Sequence, residues 1–176
     1  MFIAKIYYLC ACNINNRLMR IKNQKSIKAV SLAALAIGAI YLAFVYYRII
    51  SMLWFDVATG GIVWNQAQMG WQIAVLAGYV LGWTVVFALC ATVECNIFNG
   101  LKSGDLFPKK NIPLIMAAAV FVGVAIFFGS NVADVAKGVE CSVLDSNCIF
   151  VPLVVIVFGL LYKQASLAAE DSNLAI

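Results

Sequence analysis

Four long apolar runs, separated by shorter polar or glycine-containing stretches, constrain this chain more than any other feature. They cover about residues 29–50, 72–93, 112–130 and 148–162. The first carries no charge before Arg48, and the second and third carry none. A helix crossing a bilayer needs roughly twenty mainly apolar residues. The first three runs meet that length; the fourth is short, and the turn before it is expected to complete it. Composition excludes the soluble alternative. Hydrophobic residues make up 64% of the 176, against roughly 45–50% in globular chains. Charged residues make up 11%, against roughly 25%. A soluble domain of this size leaves too much of its area in water to hide so much apolar surface. The expected fold is an all-α membrane protein of four transmembrane helices, paired as two helical hairpins. Residues 29–176 form one membrane domain, preceded by a basic segment, 1–28.

Basic residues set the orientation. Lys5, Arg17, Arg20, Lys22, Lys25 and Lys28 precede the first run; Lys102, Lys109 and Lys110 lie between the second and third; Lys163 follows the fourth. Ten of the twelve basic residues thus fall on one side, and the positive-inside rule puts that side and both termini in the cytoplasm. The same placement explains the net charge of +4 without nucleic acid, and no direct nucleic-acid binding is expected.

Residues 1–28 leave several readings open. Phe2 to Cys12 is apolar but too short to span. It reads as an upstream tail of little consequence, as an interfacial segment, or, through Leu9-Cys10-Ala11-Cys12, as a lipoprotein-like leader. Met19, just ahead of Arg20 and Lys22, is an alternative start.

Within the spans, Tyr41, Tyr46 and Tyr47 gather toward the far end of the first, where aromatic rings favour the headgroup layer. Arg48 is expected to snorkel to that surface, with a buried functional arginine as the alternative. The first external segment, 51–71, has Trp54, Phe55, Trp64 and Trp71 as interfacial anchors and a turn at Gly60-Gly61. In the second span Ala74, Gly78 and Gly82 place small residues on one helical face. Such a stripe packs another helix closely, within the chain or in a homodimer. Similar pairs occur at Ala34/Gly38 and Ala125/Gly129. Glu94 closes the second span, either at the interface or as a proton- or cation-coupling carboxylate. The second external segment is expected over 130–147.

Few constellations carry chemistry. The chain has no histidine, which removes imidazole metal ligation and Ser-His or Cys-His catalysis. No phosphate loop or dinucleotide fingerprint occurs, so no cofactor and no enzymatic activity are expected. Cys141 and Cys148 form the candidate external disulfide. Cys90 and Cys95 lack the Cys-x-x-Cys spacing of thiol oxidases, as do Cys10 and Cys12. Small multidrug-type exporters also have four spans, but they carry a glutamate in the first, and this chain has no acidic residue there.

Between the second and third runs the chain reads Gly104-Asp105-Leu106-Phe107-Pro108-Lys109-Lys110-Asn111, and it ends Glu170-Asp171 followed by Leu174-Ala175-Ile176. A Gly-x-x-Phe-x-x-x-Asn turn and an acidic pair before a short Leu-x-Ile tail resemble the YoaS-like family, a domain of unknown function found in small bacterial four-span membrane proteins. The resemblance covers about residues 29–176. It implies a multi-pass protein of the bacterial inner membrane. Some relatives are encoded beside a helix-turn-helix regulator, which implies a cytoplasmic protein partner. It carries over no catalytic residue. The expected docking set is Gly104, Phe107, Asn111, Glu170, Asp171, Leu174 and Ile176. The expected function is a non-enzymatic regulatory or sensory membrane partner; a small-solute or ion transporter using Arg48 and Glu94 is the alternative.

Overall fold

The computed structural model describes residues 2–56, 60–103, 105, 107–139 and 147–174. Four helices follow in order: α1 (Phe2–Trp54), α2 (Met69–Ser103), α3 (Asn111–Ala136) and α4 (Asn147–Leu174). No strand occurs among the described residues. Four segments are long and apolar enough to cross a membrane: Lys25–Trp54, Met69–Leu101, Asn111–Ala136 and Asn147–Asp171. The all-α, four-span architecture expected from the apolar runs is present.

Each helix is longer than its apolar run. At about 1.5 Å per residue, the 35 residues of α2 reach about 52 Å, well beyond a hydrocarbon core of about 30 Å. Residues 130–136, expected in the second external segment, belong to α3. Local bonds and tertiary burial combine to cause this. The Ser130 hydroxyl and the Asn131 amide both bond back to the Phe127 carbonyl, and Asn131, Val132 and Val135 are buried. That burial keeps the last turns helical despite their polar residues. At the other end of the chain α4 continues past Lys163 to Leu174.

The chain divides into two compact units, 1–36 and 37–176. The first is the leading part of α1. Its backbone is helical from Phe2, so the basic segment continues directly into the first span.

In the second unit the most extensive helix contact is between α2 and α3, followed by α3 with α4. The central pair α2–α3 thus packs most extensively, and the expected α3–α4 hairpin is also in contact. Glycines set the spacing. A Cβ on Gly78 would lie 2.5 Å from the Phe128 ring, and one on Gly82 would lie 3.0 Å from the Ala125 Cα. Conversely, Gly129 of α3 faces the Tyr79 ring of α2, 2.9 Å from where its Cβ would stand. The predicted stripe is thus the α2–α3 seam. Ala74 alone of the three is exposed, and a homodimer through Gly78 and Gly82 would have to displace α3. Along residues 37–54, α1 meets α2 through larger groups: Gly38 lies under Phe87, Tyr41 packs edge-on to Trp83 with centroids 5.0 Å apart, and the Tyr46 and Thr84 hydroxyls are 2.9 Å apart.

The outer faces of α1 and α4 remain open. Phe44, Ile40, Phe150, Leu153 and Phe158 are each more than half exposed. Apolar exposure on this scale suits hydrocarbon as the solvent and is rare on soluble monomers.

Candidate functional site

Polar side chains inside the bundle collect at its two ends, and each collection ties several elements together. At the end bearing the 60–68 loop, Gln72 is 2% exposed within a core of Val45, Ile49, Ile62, Val75 and Val132. Its amide nitrogen donates to the Val63 and Val135 carbonyls, each at 2.9 Å. Its amide oxygen accepts the Asn65 N–H at 3.0 Å. The Val63 N–H also donates to the Ala136 carbonyl. Last-turn carbonyls of a helix have no partner of their own, and here the loop before α2 supplies partners for α3. Gly138, at φ +69°, then turns the chain away.

The opposite end holds the candidate site. The turn leaving α2 doubles back so closely that a Cβ on Gly100 would overlap the Asp105 carbonyl, while the Asp105 N–H bonds the Gly100 carbonyl at 2.9 Å. The Asp105 carboxylate accepts the Phe107 N–H, an Asx-type turn. Asn111 then opens α3 and is fully buried. Its oxygen accepts from the Asn96 amide at 2.8 Å, and its nitrogen donates to the Tyr162 hydroxyl at 2.9 Å and the Val93 carbonyl at 3.4 Å. One amide thus joins α2, α3 and α4, with both of its N–H donors and its oxygen engaged. Tyr162 donates in turn to the Pro108 carbonyl, and its ring meets Phe107 edge-on, centroids 5.6 Å apart. One turn further along α4, Ser166 donates to the Phe107 carbonyl at 2.8 Å. Lys109 pairs with Glu170, both about half exposed.

The expected docking residues therefore divide. Asn111 is a fastening inside the protein and presents nothing to a partner. Phe107 is half-buried against α4; Glu170 and Asp171 are exposed. Gly104 and Ile176 lie outside the described residues, and Leu174 is the last described residue of α4. What the sequence did not disclose is that the central turn and the α4 extension form one surface, joined by Tyr162, Ser166 and the Lys109–Glu170 pair. Asn96, Gly100, Tyr162 and Ser166 are the residues missed. Ser166 stands one helical turn before Glu170, but nothing local marks Asn96, and only the fold shows what either meets.

The remaining candidates lie elsewhere. Arg48 is half-buried about 9 Å short of the end of α1, at about 1.5 Å per residue. Glu94 is half-buried, and one carboxylate oxygen is inaccessible to solvent with no hydrogen-bond partner. Cys148 has a free, half-buried thiol, and its expected partner Cys141 lies outside the described residues. No group of His, Cys, Asp or Glu able to hold a metal ion occurs among the described residues.

The fold and these two polar ends define a class, the all-α multi-pass membrane protein with four spans. Compared with protein-family models, curated proteins and solved structures, the chain matches none.

Proposed function

We propose that this protein is a non-enzymatic regulatory or sensory subunit of a bacterial inner membrane, docking a soluble cytoplasmic protein on the surface formed by the central turn and the end of α4. The observation that carries this reading is the joining of turn and tail. Ser166 and Tyr162 bond the Phe107 and Pro108 carbonyls and Glu170 pairs with Lys109, and the composite presents Asp105, Lys109, Lys110, Glu170 and Asp171 to solvent. In a chain with so few charges, this is a concentrated polar surface on the side that positive-inside assigns to the cytoplasm. The family resemblance adds the kind of partner, a helix-turn-helix regulator.

The test is isolation of the tagged protein from native membranes in mild detergent, before and after crosslinking. A soluble protein at comparable stoichiometry is expected, and Asp105→Lys with Asp171→Lys should release it while the helical content is unchanged. An empty isolation even with crosslinker would refute the reading. Phe107 variants are the poorer probe, because Phe107 also packs on Tyr162.

One observation favours transport as the second reading: the unpartnered carboxylate oxygen of Glu94. Carboxylates within membrane-spanning helices are costly and mark ion or proton paths. Under this reading Glu94→Gln abolishes proton-linked flux into proteoliposomes but leaves folding intact.

A further inference from the structure

A groove of about 360 Å³ opens beside the central turn, lined by Phe107, Ile115, Phe158, Leu161, Tyr162 and Ala165. Three of these six residues carry aromatic rings. Phe107 and Tyr162 meet edge-on with centroids 5.6 Å apart, and the Tyr162 hydroxyl is engaged with Asn111 and Pro108, so the groove is left an apolar, ring-rich wall. One charge stands at that wall. The Asp105 carboxylate accepts the Phe107 N–H at 3.1 Å, and its charge is felt at the Tyr162 hydroxyl. We propose that this groove binds a lipophilic organic cation, held among its aromatic rings and beside Asp105.

Three features select that occupant. First, the negative charge at the wall is not cancelled: Asp105 has no ion pair among the described residues, and Lys109 is held by Glu170. The other lysines of this region turn away. At about 100° per residue, positions 158, 161, 162 and 165 share one face of α4, and Lys163 lies about 150° round from its centre. By the same spacing Lys110 lies about 140° round α3 from Ile115. Second, a cation within about 6 Å of a ring centroid is attracted by the negative face of the ring. The apolar groups of such a cation leave water against Ile115, Leu161 and Ala165. Third, the competing occupants fit worse. An anionic headgroup is repelled by Asp105. Transmembrane helices approach closely through small residues, and Ile115, Phe158 and Leu161 hold a helix backbone off. The volume lies within the span of small-ligand pockets, about 300–1,000 Å³.

The experiment measures equilibrium binding of tetraphenylphosphonium to the full chain in phosphatidylcholine nanodiscs, beside tetraphenylborate, an anion of the same shape. Saturable binding of one tetraphenylphosphonium per chain is expected, with tetraphenylborate taken up only as by empty nanodiscs. Asp105→Asn keeps an acceptor for the Phe107 N–H and should weaken binding about fivefold, the scale of one charge pair in contact with water. Phe158→Leu keeps an apolar wall without the ring and should weaken it about threefold, the scale of one exposed cation–π contact. Ala165→Leu fills the groove and should abolish binding at unchanged helical content; if it prevents folding, the Asp105 and Phe158 variants carry the test. Equal uptake of the two ions, or uptake that does not saturate, would show partition onto the apolar surface. Affinity unchanged in both Asp105→Asn and Phe158→Leu, or lost in Glu94→Gln alone, would put the cation elsewhere on the chain. Each of these results overturns the proposal.

Discussion

The ring of Phe128 lies directly over Gly78, its nearest atoms 2.5 Å from where a Cβ on that glycine would stand. One helix along, Tyr79 covers Gly129, so each of α2 and α3 seats an aromatic ring of the other on a glycine. This reciprocal seating brings the backbones close without a hydrophobic driving force, which lipid cannot provide between helices.

Substitution at the seam should therefore be graded by what the new methyl group meets. At Gly82 it meets the Ala125 backbone, and α3 as a whole must shift; at Gly78 it meets a ring; at Gly70 it meets nothing within 4 Å. Gly82→Ala and Gly78→Ala are expected to cost about 1–3 kcal/mol each, the scale of overpacking a filled interior, with Gly82→Ala the worse. Gly70→Ala should be neutral. Thermal unfolding in detergent, followed by circular dichroism, checks the order. Equal midpoints for all three would refute the seam.

Pro152 and Gly123 form a coupled pair between α3 and α4. Proline removes the N–H that would bond the carbonyl four residues back, here that of Cys148. That carbonyl and the proline ring both face Gly123, 3.3 and 3.0 Å from its virtual Cβ. Gly123→Ala should destabilise by about 1 kcal/mol or more by pressing on the ring. In a Pro152→Ala background the ring is gone and the helix bond is restored, so the same change should cost less. A double-mutant cycle with a coupling of at least about 0.5 kcal/mol is the expected result; strict additivity would contradict the contact.

Gln72 makes a prediction about order rather than global stability. Its amide nitrogen serves two carbonyls at once, so Gln72→Glu replaces a double donor by an oxygen that repels both. Leaving such buried groups unmatched costs about 1–3 kcal/mol, concentrated on the loop at 60–68. Hydrogen exchange read by mass spectrometry should accelerate about tenfold or more in that loop and in the last turn of α3. The α2–α3 seam near Gly82 should keep its protection.

These relationships show what the sequence discloses and what it withholds. The four spans were legible because hydrocarbon demands uninterrupted apolar length, and that demand is written locally, as from Ala29 to Tyr47. The continuation of α3 through Ser130 and Asn131 was not, because it depends on Val132 and Val135 finding cover elsewhere in the fold. The stripe of Ala74, Gly78 and Gly82 announced close packing but not its partner; a period of four residues says which face is small, not what lies against it. At the candidate site, the turn was visible as a glycine-broken basic stretch, yet Asn111 read as a surface residue. Its burial depends on Asn96 and Tyr162, fifteen and fifty-one residues away, and no local pattern encodes such a meeting.

Asn111 supplies the sharpest prediction on that account. Asn111→Ala leaves the Asn96 amide without its partner and the Tyr162 hydroxyl with the Pro108 carbonyl alone, and it removes the side chain that bonds α2, α3 and α4 together. Tyr162→Phe removes only one of the amide's partners and keeps the ring against Phe107. Because unmatched buried groups cost about 1–3 kcal/mol and a single net hydrogen bond about 0.5–1.5 kcal/mol, Asn111→Ala should lower the unfolding midpoint roughly twice as far as Tyr162→Phe. Asn111→Asp should fall with the alanine variant, since it keeps the acceptor for Asn96 but turns the donor to Tyr162 into a charged oxygen. Proteolysis separates this fastening from a docking role: cleavage within 104–110 should accelerate in Asn111→Ala and Asn111→Asp and remain at the wild-type rate in Asp171→Lys. If Asn111→Ala were as stable and as resistant as the wild type, Asn111 would not be the fastening between α2, α3 and α4.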